Sequence, residues 1–197
     1  MSERINTICP FCGVGCGIRL KLDSSGQLSS VEPQEKHPIN RGKLCDKGWS
    51  TAYAISSGNR ITQPLKRIRD EFYPISWDEA LATIADELQQ IIDESGSEAV
   101  GVISSARATN EDNYAAQKFA RTVLNTNNVD HCARICHSPT VAGLKQSLGS
   151  GAMTNSAKDI FETDLMLVMG ADPTENHSVL GGHIIQAHLN GAKLIVI

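Results

Sequence analysis

No run of lysine or arginine occurs in this chain. Its 18 basic residues are scattered among 22 acidic ones and leave a net charge of −4, which excludes the basic stripe a nucleic-acid binder needs. No hydrophobic stretch is long enough to cross a bilayer. The first residues, Met1-Ser2-Glu3-Arg4-Ile5-Asn6-Thr7, contain neither an apolar signal core nor paired arginines, so a cytoplasmic location is expected. Internal repeats and low-complexity segments are also missing. The composition, 41% hydrophobic over 197 residues, carries no sign of disorder and is enough for one sizeable core plus a small satellite domain. Lys193-Leu194-Ile195-Val196-Ile197 reads as a buried parallel strand with nothing after it to cover its edge, so the front piece of a longer protein is expected.

Cysteine is where the chain is distinctive. Cys9, Cys12 and Cys16 fall in one glycine-rich loop, and Cys45 completes a C-x2-C-x3-C-x28-C pattern. Four thiolates can surround one metal centre. The spacing and the glycines at 13, 15 and 17 suit an anionic [4Fe-4S] cluster. Zinc more often takes two separated C-x2-C pairs; zinc, a redox dithiol and plain buried cysteines remain the alternatives at this point.

Residues 1–57 read as a compact module: a hairpin over Ile18–Leu22 and Leu28–Val31, then a loop over 33–48 that returns Cys45 to the other cysteines. It has too few large apolar residues to be stable without its metal. Residues 58–197 form a second part. After a connector over 58–75, Ser76-Trp77-Asp78-Glu79 predicts a capping box and a helix with the apolar stripe Ala80, Leu81, Ile84, Leu88, Ile91 and Ile92. A strand at Ala99–Ser104, a helix at Asn110–Leu124, and a short helix opened by Ser138-Pro139 follow. A strand at Leu165–Met169, a helix at His177–Leu189 and the last strand complete the series. This is the α/β pattern of a doubly wound, Rossmann-like domain begun and cut at a strand. Its ligands are expected at the carboxyl ends of the strands, in the loops at 104–110 and 170–177.

A second cysteine site lies in Asp130-His131-Cys132-Ala133-Arg134-Ile135-Cys136-His137-Ser138-Pro139. A thiol beside an imidazole, near an arginine and ahead of a helix start, is expected in an electropositive setting that favours thiolate. Cys136 could be a nucleophile or soft-metal ligand with His137 as proton carrier; a buried, inert cysteine is the bland reading.

The two cysteine sites together, with Lys47, Ser76-Trp77-Asp78-Glu79-Ala80, Ala106–Tyr114, Gln117–Arg121 and Gly149–Asn155, resemble the catalytic subunit of molybdenum- or tungsten-dependent formate dehydrogenases over essentially the whole chain. The resemblance implies that Cys9, Cys12, Cys16 and Cys45 ligate a [4Fe-4S] cluster and that Lys47 lies between cluster and pterin. It implies Cys136 as ligand of the molybdenum or tungsten and His137 as manager of the proton. Arg134 and the loop holding Gly170, Asp172, Glu175, Asn176 and His177 would contact a bis-molybdopterin guanine dinucleotide. That loop is not GxGxxG, so a nicotinamide site is unsupported. The activity implied is oxidation of formate to CO2, or the reverse, with electrons leaving through the cluster to an iron–sulfur, flavin, deazaflavin or hydrogenase subunit. The family's substrate-binding arginine and second pterin site are expected beyond Ile197, so this stretch alone is expected to be inactive. Nitrate or another oxyanion reduction, and a pterin-free iron–sulfur electron-transfer subunit, are the alternatives; Cys136-His137 rather than Cys-Met favours formate.

Elsewhere the bland readings stand. His183 and His188 are expected as surface or packing residues, His37 and His131 as solvent-exposed, Cys132 as structural, and Asn110 and Asp112 as part of a helix start.

Overall fold

The computed structural model describes residues 4–197; Met1, Ser2 and Glu3, part of the stretch read as lacking an export signal, lie outside the described residues. The chain forms two compact units, one running up to Arg60 and including Met153–Ile197, the other comprising Ile61–Ala152. No helix among the described residues is long and apolar enough to cross a membrane.

The first unit opens with three antiparallel strands, β1 (Arg4–Ile8), β2 (Gly17–Leu22) and β3 (Leu28–Pro33), in the order β1-β2-β3. β2 and β3 are the hairpin the alternation predicts. β1 is additional: its exposed residues carry no buried face for a pattern to reveal. Ile18 of β2, opposite Pro33, is fully enclosed, and Val31 of β3, opposite Leu20, is buried. The turn between them is fixed by Asp23, whose carboxylate accepts the N–H groups of Ser25 and Gln27. An irregular loop then leads to two short helices, α1 (Asp46–Trp49) and α2 (Thr51–Ser56).

The second unit begins where a connector was expected, with a hairpin of β4 (Leu65–Ile68) and β5 (Glu71–Pro74). Its turn places Arg69 at φ 58, which a sequence offers no cue for at an arginine. Helix α3 (Trp77–Ser95) starts where predicted: the Ser76 hydroxyl accepts the Glu79 N–H at 3.1 Å. The Glu79 carboxylate pairs with Lys66 at 3.6 Å. Of the predicted stripe Ala80 is buried, while Leu81, Ile84 and Ile91 are exposed. A reciprocal capping box stands instead at Thr109 and Asp112, opening α4 (Asn110–Thr122). That helix links two parallel strands, β6 (Val102–Ser104) and β7 (Val129–His131), in a β–α–β unit. Val100, Ala120, Leu124 and Thr126 are its buried residues. The one-turn helix α5 (Ala133–Cys136) and α6 (Ser138–Leu148, with proline in its first turn and Gly149 ending it in the left-handed conformation) follow.

The chain returns to the first unit with a second parallel pair, β8 (Leu165–Val168) and β9 (Lys193–Val196), joined through α7 (Pro173–Asn176) and α8 (Ser178–Leu189). His183 is a packing residue: it is fully buried, its Nε2 lies 2.8 Å from the Ile39 carbonyl, and its ring sits 4.9 Å from that of Phe161. Phe161 in turn carries the Arg41 guanidinium on its face at 4.7 Å. His188 stays on the surface beside the Ala192 carbonyl. His37, expected in solvent, is instead half-buried over Gly17, because the loop at 34–43 is drawn onto β2; His131 is exposed as expected. The result is a mixed α/β chain with a β-rich N-terminal region and two parallel β–α–β units.

Candidate metal and cofactor sites

The first three cysteines occupy the tight connection between β1 and β2. Ile8 pairs with Gly17, and the Cys9 N–H donates to the Cys16 carbonyl at 2.8 Å, so Cys9 and Cys16 stand at the loop's base with Cys12 between them. Gly15, at φ 72, turns this loop through the left-handed region. Gly17 serves a different need, since a Cβ there would lie 2.5 Å from the His37 ring. Cys45 caps α1 from the other side.

Cys9, Cys12, Cys16 and Cys45 line one cleft with Lys47 and Asn176. Burial pushes the Cys16 thiol up to about 11, helped by the negative charge its three cysteine neighbours would carry. Cys9 is raised as well, chiefly by burial. Among the described residues, no three Cys, His, Asp or Glu side chains converge tightly enough to hold a single ion. The four thiols line one cleft, and a set of four is the number that either an iron–sulfur cluster or a zinc ion takes.

Lys47, exposed on α1, also lines a neighbouring cleft with Cys45, Asp46, Thr174, Glu175 and Ser178. Lys47, Glu175 and Asn176, far apart in sequence, are thus brought together beside Cys45. Asp172 caps α7: its carboxylate accepts from the Thr174 hydroxyl and from the N–H groups of Thr174 and Glu175. The Thr174 hydroxyl, more than the amides, holds Asp172 below the usual carboxylate range. Gly170 takes a left-handed turn at φ 59 at the end of β8, and His177 is exposed between α7 and α8.

In the second unit Cys136 is the last residue of α5, exposed, with His137 directly after it and α6 beginning at Ser138. The expected electropositive setting is moderated, because Arg134 is engaged: its Nε donates to the Asp130 carboxylate at 2.7 Å, which lowers the Asp130 pKa. The loop after β6 is held by Asn113, whose amide donates to the carbonyls of Ser105 at 3.1 Å and Thr109 at 2.9 Å. Cys132 accepts a backbone N–H from that loop. Sequence reasoning missed Asn113, and missed Asn40 and Gly181 in the first unit. Their partners are chiefly backbone atoms, which no side-chain spacing marks.

Residues 2–57 match the family model described as molybdopterin oxidoreductase Fe4S4 domain, and residues 60–197 match molybdopterin oxidoreductase. The chain belongs to the molybdopterin oxidoreductase family. Among curated relatives, it is 48% identical over 193 residues to the F420-dependent formate dehydrogenase subunit alpha of Methanocaldococcus jannaschii, covering 98% of this chain and 28% of the relative. It is 43% identical over 201 residues to formate dehydrogenase H of Escherichia coli, again covering 98% and 28%. Acetylene hydratase from Pelobacter acetylenicus shares the fold, with a TM-score of 0.74 at 23% identity over 97% of this chain and 26% of that one. The chain therefore spans little more than a quarter of the length of these relatives. The two matched domains are those of an Fe4S4 cluster and of molybdopterin.

Proposed function

We propose that this chain is the N-terminal part of a formate dehydrogenase catalytic subunit, which interconverts formate and CO2 plus a proton and two electrons. The observation that carries the reading is the cleft in which four thiols, Lys47 and Asn176 meet, in a chain 43–48% identical to formate dehydrogenases over nearly its whole length. When bound, a molybdenum or tungsten bis-molybdopterin guanine dinucleotide supplies the two-electron chemistry and the [4Fe-4S] cluster carries electrons away singly. The protein's own residues do the rest. Cys9, Cys12, Cys16 and Cys45 hold the cluster. Lys47 places a positive charge beside Cys45, where it can meet an anionic pterin. Gly170, Asp172, Glu175, Asn176 and His177 form the dinucleotide loop, shaped by the Asp172 cap. Cys136 is the metal ligand, Arg134 contacts the cofactor, and the His137 imidazole, directly after Cys136, takes up the proton.

The F420-dependent relatives support a deazaflavin-linked subunit as electron acceptor. Cysteines that ligate a cluster and a metal rather than pairing with one another fit a reducing, cytoplasmic setting. The test is turnover by the complete polypeptide, purified anaerobically. Reduction of a viologen dye by formate, with iron and molybdenum or tungsten in the protein, is expected. Nitrate turnover without formate turnover, or iron without either heavier metal, would replace the reading with an oxyanion reductase or a pterin-free electron-transfer subunit.

A further inference from the structure

Asn40 is completely buried in a module where buried polar side chains are few. It lies outside the four cysteines, yet its amide touches the backbone next to two of them. Its Oδ1 accepts the Gly17 N–H at 2.8 Å, and its Nδ2 donates to the Gly17 carbonyl at 3.1 Å and to the Lys43 carbonyl at 2.9 Å. Gly17 follows Cys16, and Lys43 precedes Cys45 by two positions. One side chain therefore clips the end of the three-cysteine loop to the approach of the fourth cysteine.

The chemistry of the clip is specific. A buried amide is costly unless its donors and acceptor are satisfied, and here the contacts run to backbone that no apolar residue could hold. The surrounding bonds reinforce the same junction. The Gln34 N–H donates to the Gly17 carbonyl at 3.0 Å, the Gln34 side chain donates to the Ile18 carbonyl at 2.8 Å, and the Lys43 N–H donates to the Asn40 carbonyl at 2.8 Å. The His37 ring covers Gly17 so closely that no side chain fits there. Cys16 and Cys45 are separated by 28 residues, much of them irregular, so without such a clip Cys45 would pay a loop-closure cost each time the ligand set assembled.

We propose that Asn40 is a positioning residue for the iron–sulfur cluster: it sets Cys45 against Cys16 before the cluster binds and keeps that geometry afterwards. This rests on the cluster reading but not on formate as substrate. Asn40→Asp keeps the acceptor for Gly17 and removes both donations; Asn40→Ala removes everything. Each variant of the complete polypeptide is compared with wild type for iron and sulfide content, for the rate at which a chelator strips iron anaerobically, and for the spectrum and potential of the reduced cluster. Ala187→Gly, a buried change in α8, is the stability control. The expected result is at least about tenfold faster iron loss in both variants, in keeping with orphaned buried groups, with a changed cluster spectrum. Ala187→Gly is expected to lower thermal stability while leaving the spectrum and potential as in wild type. Wild-type stripping rate and spectrum in Asn40→Asp and Asn40→Ala would overturn the proposal. So would failure of both variants to accumulate while Ala187→Gly does, since that would mark Asn40 as structural only. Wild-type protein holding zinc without sulfide would instead overturn the cluster reading itself.

Discussion

The Ala106 backbone N–H, just beyond β6, donates to the Sγ of Cys132, just beyond β7, at 3.3 Å. The two parallel strands are thus tied at their carboxyl ends, where an α/β unit binds its ligands, by a sulfur that opens the helix carrying Cys136. This contact supports a structural role for Cys132. Cys132→Ala is expected to lower turnover severalfold while iron and molybdenum or tungsten content stay at wild-type levels. Metal analysis beside steady-state kinetics reads both, and loss of the heavier metal would make Cys132 part of the ligand set.

Asn113 holds the same loop from α4, through the Ser105 and Thr109 carbonyls and the Ser104 hydroxyl. Asn113→Ala leaves the partly buried Ser105 carbonyl without this donor, at a cost of about 1–3 kcal/mol. Chemical denaturation should show this loss, and hydrogen exchange should show faster opening at residues 105–109.

The pairing of Asp130 with Arg134 gives α5 a pH dependence of known sign. The Arg134 guanidinium lowers the Asp130 pKa in the folded state, with the His131 N–H adding to it. The contribution is therefore fully present above the unfolded carboxyl pKa, and is lost as pH falls through the lower folded value. Asp130→Asn should abolish this part of the acid sensitivity, seen as a flatter stability profile on the acid side and a lower plateau near neutrality.

Two neighbouring glycines in α8 should behave oppositely. A Cβ on Gly181 would lie 2.7 Å from the Pro173 carbonyl oxygen and 2.8 Å from the Thr174 Cα, whereas Gly182 has nothing within 4 Å. Gly181→Ala should force α7 away and cost about 1–3 kcal/mol, with weaker pterin retention. Gly182→Ala should be neutral or stabilise the helix by about 0.4–1 kcal/mol. Thermal unfolding and pterin content check the pair.

These residues mark the boundary of what could be read from the sequence. Helices α3, α4, α6 and α8 were legible because caps and periodicity are local, and the four-cysteine pattern was legible because three of its members fall within eight positions of one loop. The β4–β5 hairpin was not: Pro64 and Pro74 disguise it as a connector, and its turn uses an arginine with positive φ. The juxtaposition of Lys47 with Glu175 and Asn176 depends on a chain reversal of well over a hundred residues. Asn40 and Gly181 act on backbone atoms, whose positions no side-chain pattern encodes. His37 was misplaced for the same reason, since its partner is the bare surface of a glycine.

The most direct test of the account is formate-dependent viologen reduction by the complete polypeptide carrying Cys136→Ala, measured beside its iron content. The account predicts that turnover is lost while the iron–sulfur cluster remains at wild-type level. Turnover within about twofold of wild type, a difference of less than about 0.5 kcal/mol in the barrier, would contradict it.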